Sequence, residues 1–459
     1  MRKNILRDNL NGDVTHSALN LMWKIIAGPF TMLLVPLFTM PTIQGFWYTF
    51  ISLAALTIFA DLGFTTIATQ YVAHEFAFLT LDADGVIRGE SEHLYATAAL
   101  LRFVMKWGVI SGLAVTPLVF GVGCYLFIQK AAAAGWLIPW IMFSAGTLVN
   151  YWGTILASFL QGARQVARVQ RLTLVSRVVQ SLLMFGLLIL HRGLFALAVA
   201  TLVGSGVLVV MLLKDYRSCL AQLFRIRSQR KWGGEILSLL WRYAISWTGG
   251  YLNLQVFTPL VFQFKGAVLA GKVGITLAIW TAAISFSTVW FSANIPKINI
   301  LIARSEEGEV KRVMRELMKL TYLTYAACVA ALILLLYLGA KFDLGIFSRI
   351  VARFMGLRSA LTLLFIGIPS MYVNAMAIYL RAHKKEPLLL PSVVSGVATA
   401  ILSLIVIRAL GPDEVFVGFF ASTVAAFPWF FSIYRQKRAD WGRAPIGAQE
   451  LQDGQHRVT

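Results

Sequence analysis

Apolar runs of about twenty residues, each followed by a short polar or basic stretch, recur from one end of the chain to the other. An α-helix needs about twenty apolar residues to cross the ~30 Å hydrocarbon layer of a bilayer, so each run predicts a transmembrane helix. The first half offers spans at residues 18–39, 44–71, 98–128, 136–161, 169–190 and 193–213. The second half offers 235–263, 267–296, 317–340, 359–380, 387–408 and 413–433. Two sets of six separated by the basic stretch 214–231 predict an all-α integral membrane protein of about twelve helices, as two six-helix bundles around a central cavity. The lobes are read as residues 1–222 and 223–459. Short echoes support an internal repeat: Leu-Met-Trp23-Lys24 resembles Leu-Leu-Trp241-Arg242, and the start of the second span resembles Gly274-Ile-Thr-Leu-Ala-Ile-Trp-Thr-Ala-Ala.

Composition excludes a soluble fold. Hydrophobic residues make up 58% of the chain and mean hydropathy is +0.71, against roughly half apolar in soluble domains. Twelve spans would use most of the 459 residues, so no separate catalytic domain is expected. No HExxH, P-loop or GxSxG pattern occurs, and the reading is of a carrier without cofactor, not an enzyme. Cys124, Cys219 and Cys328 lie far apart and form neither a disulfide framework nor a metal spacing. Leu81-Asp-Ala-Asp84-Gly85 starts like a calcium loop but lacks the later ligands, so no metal is assigned.

A net charge of +20 raises the question of nucleic acid, but the basic residues sit between apolar runs and read as topology determinants facing anionic lipid. With the N-terminus inside, the cytoplasmic face receives Arg2, Lys3 and Arg7, then Arg164, Arg168 and Arg171, the 214–231 stretch, Lys297 to Arg315, Arg381 to Lys385, and Arg435 to Arg438. Both termini are therefore expected in the cytoplasm, with no cleaved leader. Two segments run against this pattern: 341–358 is basic yet outside, and 74–93 is mostly acidic yet inside.

Ionisable groups inside spans cost at least about 2.5 kcal/mol at mid-bilayer, so they tend to face protein or water. The candidates are Lys24, Asp61, Arg102, Lys106, Arg177 and Arg242, all placed in the cytoplasmic half. The five cations suit a cavity that attracts an anion; snorkelling to headgroups is the competing reading for those near helix ends. Asp61 is read as an ion-pair partner of Lys24, with proton coupling as the alternative. Pro29, Pro36, Pro259, Pro369 and Pro391 permit helix bends, and the many Trp and Tyr residues read mainly as interfacial belts.

Gln44-Gly-Phe-Trp-Tyr-Thr-Phe-Ile-Ser-Leu-Ala-Ala, through Phe59-Ala-Asp61-Leu-Gly-Phe to Gln70-Tyr-Val-Ala-His74-Glu75, resembles bacterial O-antigen and polysaccharide flippases of the Wzx type. These belong to the multidrug/oligosaccharidyl-lipid/polysaccharide exporter superfamily. The resemblance implies alternating-access translocation of an undecaprenyl-diphosphate-linked oligosaccharide across the bacterial inner membrane. It also implies work beside a polysaccharide polymerase and chain-length proteins. A diphosphate suits Lys and Arg, and Lys24 and Arg242, each following a Trp, are the first pair expected to hold it. A cation-coupled multidrug exporter of the same superfamily is the alternative.

Overall fold

The computed structural model describes residues 2–82, 84–129, 135–228, 230, 232–234, 236, 240, 249, 251–304, 306–342, 345–383 and 387–441. It is an all-α membrane protein. Among the described residues nine helices are long and apolar enough to cross a bilayer. The first half runs α1 (Arg2–Phe38), α2 (Pro41–Ala54), α3 (Ile58–Asp61), α4 (Phe64–Glu75), a hairpin of β1 (Leu79–Leu81) and β2 (Ile87–Gly89), α5 (Ser91–Ile128), α6 (Leu137–Gly162), α7 (Val166–Ile189), α8 (Leu194–Asp215) and α9 (Arg217–Arg225). The second half runs α10 (Phe257–Lys265), α11 (Ala267–Ser287), α12 (Val289–Ala303), α13 (Glu307–Lys341), α14 (Ile346–Val351), α15 (Leu357–Ala382), α16 (Leu389–Ala409) and α17 (Val417–Trp441). Several helices outrun their apolar cores. The 38 residues of α5 reach roughly 57 Å at 1.5 Å per residue, so its polar first turns stand outside the hydrocarbon.

The chain forms two compact units, Met1–Trp247 with Gly266–Gly271, and Thr248–Lys265 with Lys272–Thr459. Within the first, α6 packs on α8, α5 and α4, while α7 packs on α8 and α1. Small residues set these approaches, as expected where lipid supplies no hydrophobic drive between helices. A Cβ on Gly146 would lie 2.8 Å from the Leu202 backbone nitrogen, and one on Gly162 2.7 Å from the Thr69 carbonyl. Partners advance together along α1 and α7: Asn20 meets Gln170, Trp23 meets Ser181, Phe30 meets Phe185 and Phe38 meets His191. The two helices are therefore parallel, as first and fifth spans of an alternating chain should be.

The second predicted span, 44–71, is not one helix. After α2 and a short 3-10 turn, α3 stops where Leu62 and Gly63 take left-handed φ of 48° and 80°, and α4 starts afresh. Residues 74–93, read as a loop, contain the antiparallel pair Leu79–Gly89, Thr80–Arg88 and Leu81–Ile87. Asp82, the first acidic residue of the rejected calcium pattern, lies 2.7 Å from Arg88 across this hairpin. The three cysteines are free.

In the second unit α16 and α15 pack on α17, and α12 packs on α13 and α15. Gly367 leaves room for the Tyr325 ring, whose hydroxyl donates to Leu364 O at 2.8 Å and accepts from Trp280 Nε1 at 3.1 Å. The eighth predicted span is interrupted at Thr288, where α12 begins.

Candidate functional site

The candidate site is a polar face shared by α1 and α7. Gln170 and Arg177 are seven residues apart on α7, two turns along one face. Asn20 on α1 donates through Nδ2 to both the carbonyl and the Oε1 of Gln170, each at 2.8 Å, and accepts from Arg177 Nη1 at 3.1 Å. Asn20 is 4% exposed, so its amide orientation is fixed by these partners. Helical side chains point toward the N-terminus of their helix, which is why Arg177 reaches back toward Gln170. Its Cα stands roughly 17 Å into α7, but the charge is drawn toward the end where α7 starts. Arg177 remains exposed, and only one of its donors has a partner among the described residues. A guanidinium carries five N–H groups. What is left is a donor fork, held at one nitrogen by Asn20, that matches phosphate or carboxylate geometry.

The other predicted cations divide. Arg102 is half-buried on α5 and donates through Nη2 to Leu223 O on α9 at 3.4 Å, which makes it a tie between helices. Lys106, one turn on, is exposed. Neither joins Arg177 through any hydrogen bond, ion pair or ring contact among the described residues; α5 packs on α6, α4 and α9, whereas α7 packs on α1 and α8. Lys24 follows Asn20 by four residues on α1, so its Cα shares the Asn20 face, but its side chain lies outside the described residues. Arg242 also lies outside them, so the pairing of Lys24 with Arg242 stays an expectation from sequence.

Asp61 stands at the helix break. Its Oδ2 accepts from the Gly63 N–H at 3.2 Å and the Thr65 hydroxyl at 3.0 Å, and its Oδ1 accepts from the Thr65 N–H at 3.1 Å. These N–H groups are orphans of the new helix start, and a carboxylate there also meets the positive end of the α4 dipole. On the other side of the break the Tyr151 hydroxyl donates to Ala60 O at 2.8 Å and lies 2.8 Å from Ser111 Oγ. Both orphaned ends are thus satisfied inside a span. The expected Asp61 to Lys24 ion pair involves a side chain that is not described; the contacts Asp61 does make are those of a helix cap. Removing a capping acceptor costs about 0.5–2 kcal/mol. Asp61→Ala is expected to lower the thermal midpoint in detergent by several degrees, and Asp61→Asn by less. Unchanged melting of Asp61→Ala would remove the cap role, and loss of proton-gradient dependence in a normally melting Asp61→Asn would identify a coupling residue.

Asn20 and Gln170 were missed from sequence, although a polar pair at spacing seven with Arg177 on α7 was a readable signal for Gln170. Asn20 had only its place near the start of an apolar run.

No family model matches the chain, and no curated protein sequence matches it. Solved structures do. An inward-facing MATE family multidrug resistance transporter of the MOP superfamily aligns over 95% of this chain and 100% of its own, with TM-score 0.67 and 13% identity. The MATE multidrug transporter DinF-BH aligns over 95% of this chain and 97% of its own, with TM-score 0.60 and 12% identity. An outward-facing MATE family transporter aligns over 95% and 97%, with TM-score 0.51 and 14% identity. At such identities the likeness is one of fold. The chain has the fold of MATE family transporters of the MOP superfamily, the superfamily named by the resemblance of residues 44–75; these three structures do not single out its flippase branch.

Proposed function

We propose that this chain is an alternating-access carrier of the bacterial inner membrane, with both termini cytoplasmic. Its cargo is an amphiphile with an anionic head, specifically an undecaprenyl-diphosphate-linked oligosaccharide. The observation that carries the reading is Arg177: an exposed guanidinium, aimed by Asn20 toward the start of α7, with no carboxylate partner among the described residues. A lipid-linked diphosphate sits at headgroup depth, can take a bidentate Arg, and can leave its tail in the bilayer. A cationic drug would need free carboxylates within the spans. Asp61, the carboxylate inside a first-half span, already accepts three hydrogen bonds from its own helix break. Membrane lipids, a polymerase and chain-length proteins are the partners this reading implies.

The second reading, a cation-coupled multidrug exporter, is supported by the fold likeness to multidrug transporters. The two separate in one experiment. The protein is expressed in a panel of bacterial strains, each lacking one glycan flippase, and in a strain lacking its drug exporters. Return of a surface glycan in one strain of the panel, with unchanged ethidium efflux, is the expected result. Ethidium efflux with no glycan restored anywhere in the panel would overturn the lipid-linked cargo.

A further inference from the structure

Outside the α1 and α7 face, one end of the first unit buries a carboxylate among partners from separate stretches of chain. Glu75, the last residue of α4, is 2% exposed. His93 Nδ1, on the first turn of α5, lies 2.7 Å from its Oε2, and Arg230 Nη1 lies 3.7 Å from its Oε1. The His93 ring stacks on Phe78 at 4.1 Å, and its Nε2 is 3.7 Å from Glu90. The Arg230 guanidinium lies 4.0 Å over the ring of Trp232, which is 2% exposed and donates Nε1–H to Ala96 O at 3.1 Å. Ile236 and Leu240 follow Trp232 at spacings of four and are buried in the same core. A second tie flanks the first. The Gln222 amide accepts from the Ile87 N–H at 2.7 Å and donates to the Ile87 carbonyl at 2.9 Å, standing in for a third strand beside β2.

Burying a carboxylate is costly, and its ion pairs repay that only in good geometry; what such pairs add is a definite position for the partners. Here the partner is Arg230, on the stretch through which the chain first passes toward the second unit, whose residues begin at Thr248. We propose that Glu75 is the hub of a latch that clamps the start of this connector to the first unit. It is thereby a positioning residue that holds the stretch at Arg230 and Trp232 against α4 and α5. Its part in a transport cycle rests on the carrier reading; the clamp itself does not.

The test uses the full chain in membrane vesicles, with Cys124 and Cys328 replaced by Ser and a cysteine placed at Ser228. Cys219 can stay, because burial pushes its thiol up to about 12 and leaves almost no thiolate near neutral pH. Maleimide labelling of Ser228→Cys is expected to rise about tenfold with Glu75→Gln, and comparably with Arg230→Gln, whose side chain is 43% exposed. The double variant should label no faster than the quicker single, since both break one contact. A cysteine at exposed Arg171 on α7 serves as the control and should be unaffected. Unchanged labelling at residue 228 in both single variants, multiplied effects in the double, or equal acceleration at residue 171 overturns the latch. No cargo enters the assay, so its failure is distinct from failure of the carrier reading.

Discussion

Gly45→Val is expected to reduce folded protein in the membrane several-fold. Gly45 is the second residue of the stretch that resembles flippases, and on α2 it lies directly against the main chain of Ala267, at the start of α11. A Cβ there would overlap the Ala267 carbonyl. The approach is reciprocal, since a Cβ on Gly271 would come within 2.9 Å of the Gly45 nitrogen, and Gln44 Nε2 donates to Gly271 O at 2.9 Å. Overpacking costs about 1–3 kcal/mol when side chains can yield; here the obstacle is backbone, so the cost should reach or exceed the top of that range. Gly45→Ala should be damaging but milder. Gly186→Ala on α7, where nothing lies within 4 Å, should be neutral or gain up to about 1 kcal/mol from helix propensity. Normal abundance and melting of Gly45→Val would show that the two helices do not meet in this way.

That contact also marks what the sequence could and could not disclose. The spans were legible because a bilayer demands unbroken apolar runs of a fixed length, and a run such as 194–215 has few other readings. The break at Leu62 and Gly63 is less visible, because α2 and the start of α3 stay mostly apolar; Asp61-Leu-Gly63 with Thr65, the chemistry of a capped turn, is its one local signal. The hairpin at 79–89 has strands of three residues, too short for an alternating pattern to register. The Arg102 contact is one that depth and charge do not disclose. Helix α5 begins at Ser91, seven residues before its apolar run, and Arg102 is spent on the carbonyl of Leu223, a partner more than a hundred residues away. Glu75 lies within the motif that resembles flippases, but its partners His93 and Arg230 are brought to it only by the fold. Candidate residues can be listed from depth and charge; which of them already have partners is a tertiary fact.

Arg177→Gln is expected to reduce glycan restoration at least tenfold while leaving abundance and melting close to normal. Two roles compete for this side chain, and their magnitudes differ. As a strut between α7 and α1 it makes one charge-assisted hydrogen bond to Asn20, worth about 1.5–3 kcal/mol at most. Gln can replace part of that, and Asn20 keeps both of its bonds to Gln170. As the receptor for an anionic head it supplies the charge and the planar fork, neither of which Gln can reproduce. The strut role therefore predicts that Asn20→Ala and Arg177→Gln both lower the melting temperature and lose function only in proportion to lost protein. The receptor role predicts normal melting with lost function for Arg177→Gln, and partial function for Arg177→Lys, which keeps the charge without the fork. Asn20→Ala should fall between, because the guanidinium survives but is no longer aimed. Glycan restoration by Arg177→Gln at the wild-type level, with protein abundance matched, would remove this residue from the cargo site and the chief support for an anionic cargo with it.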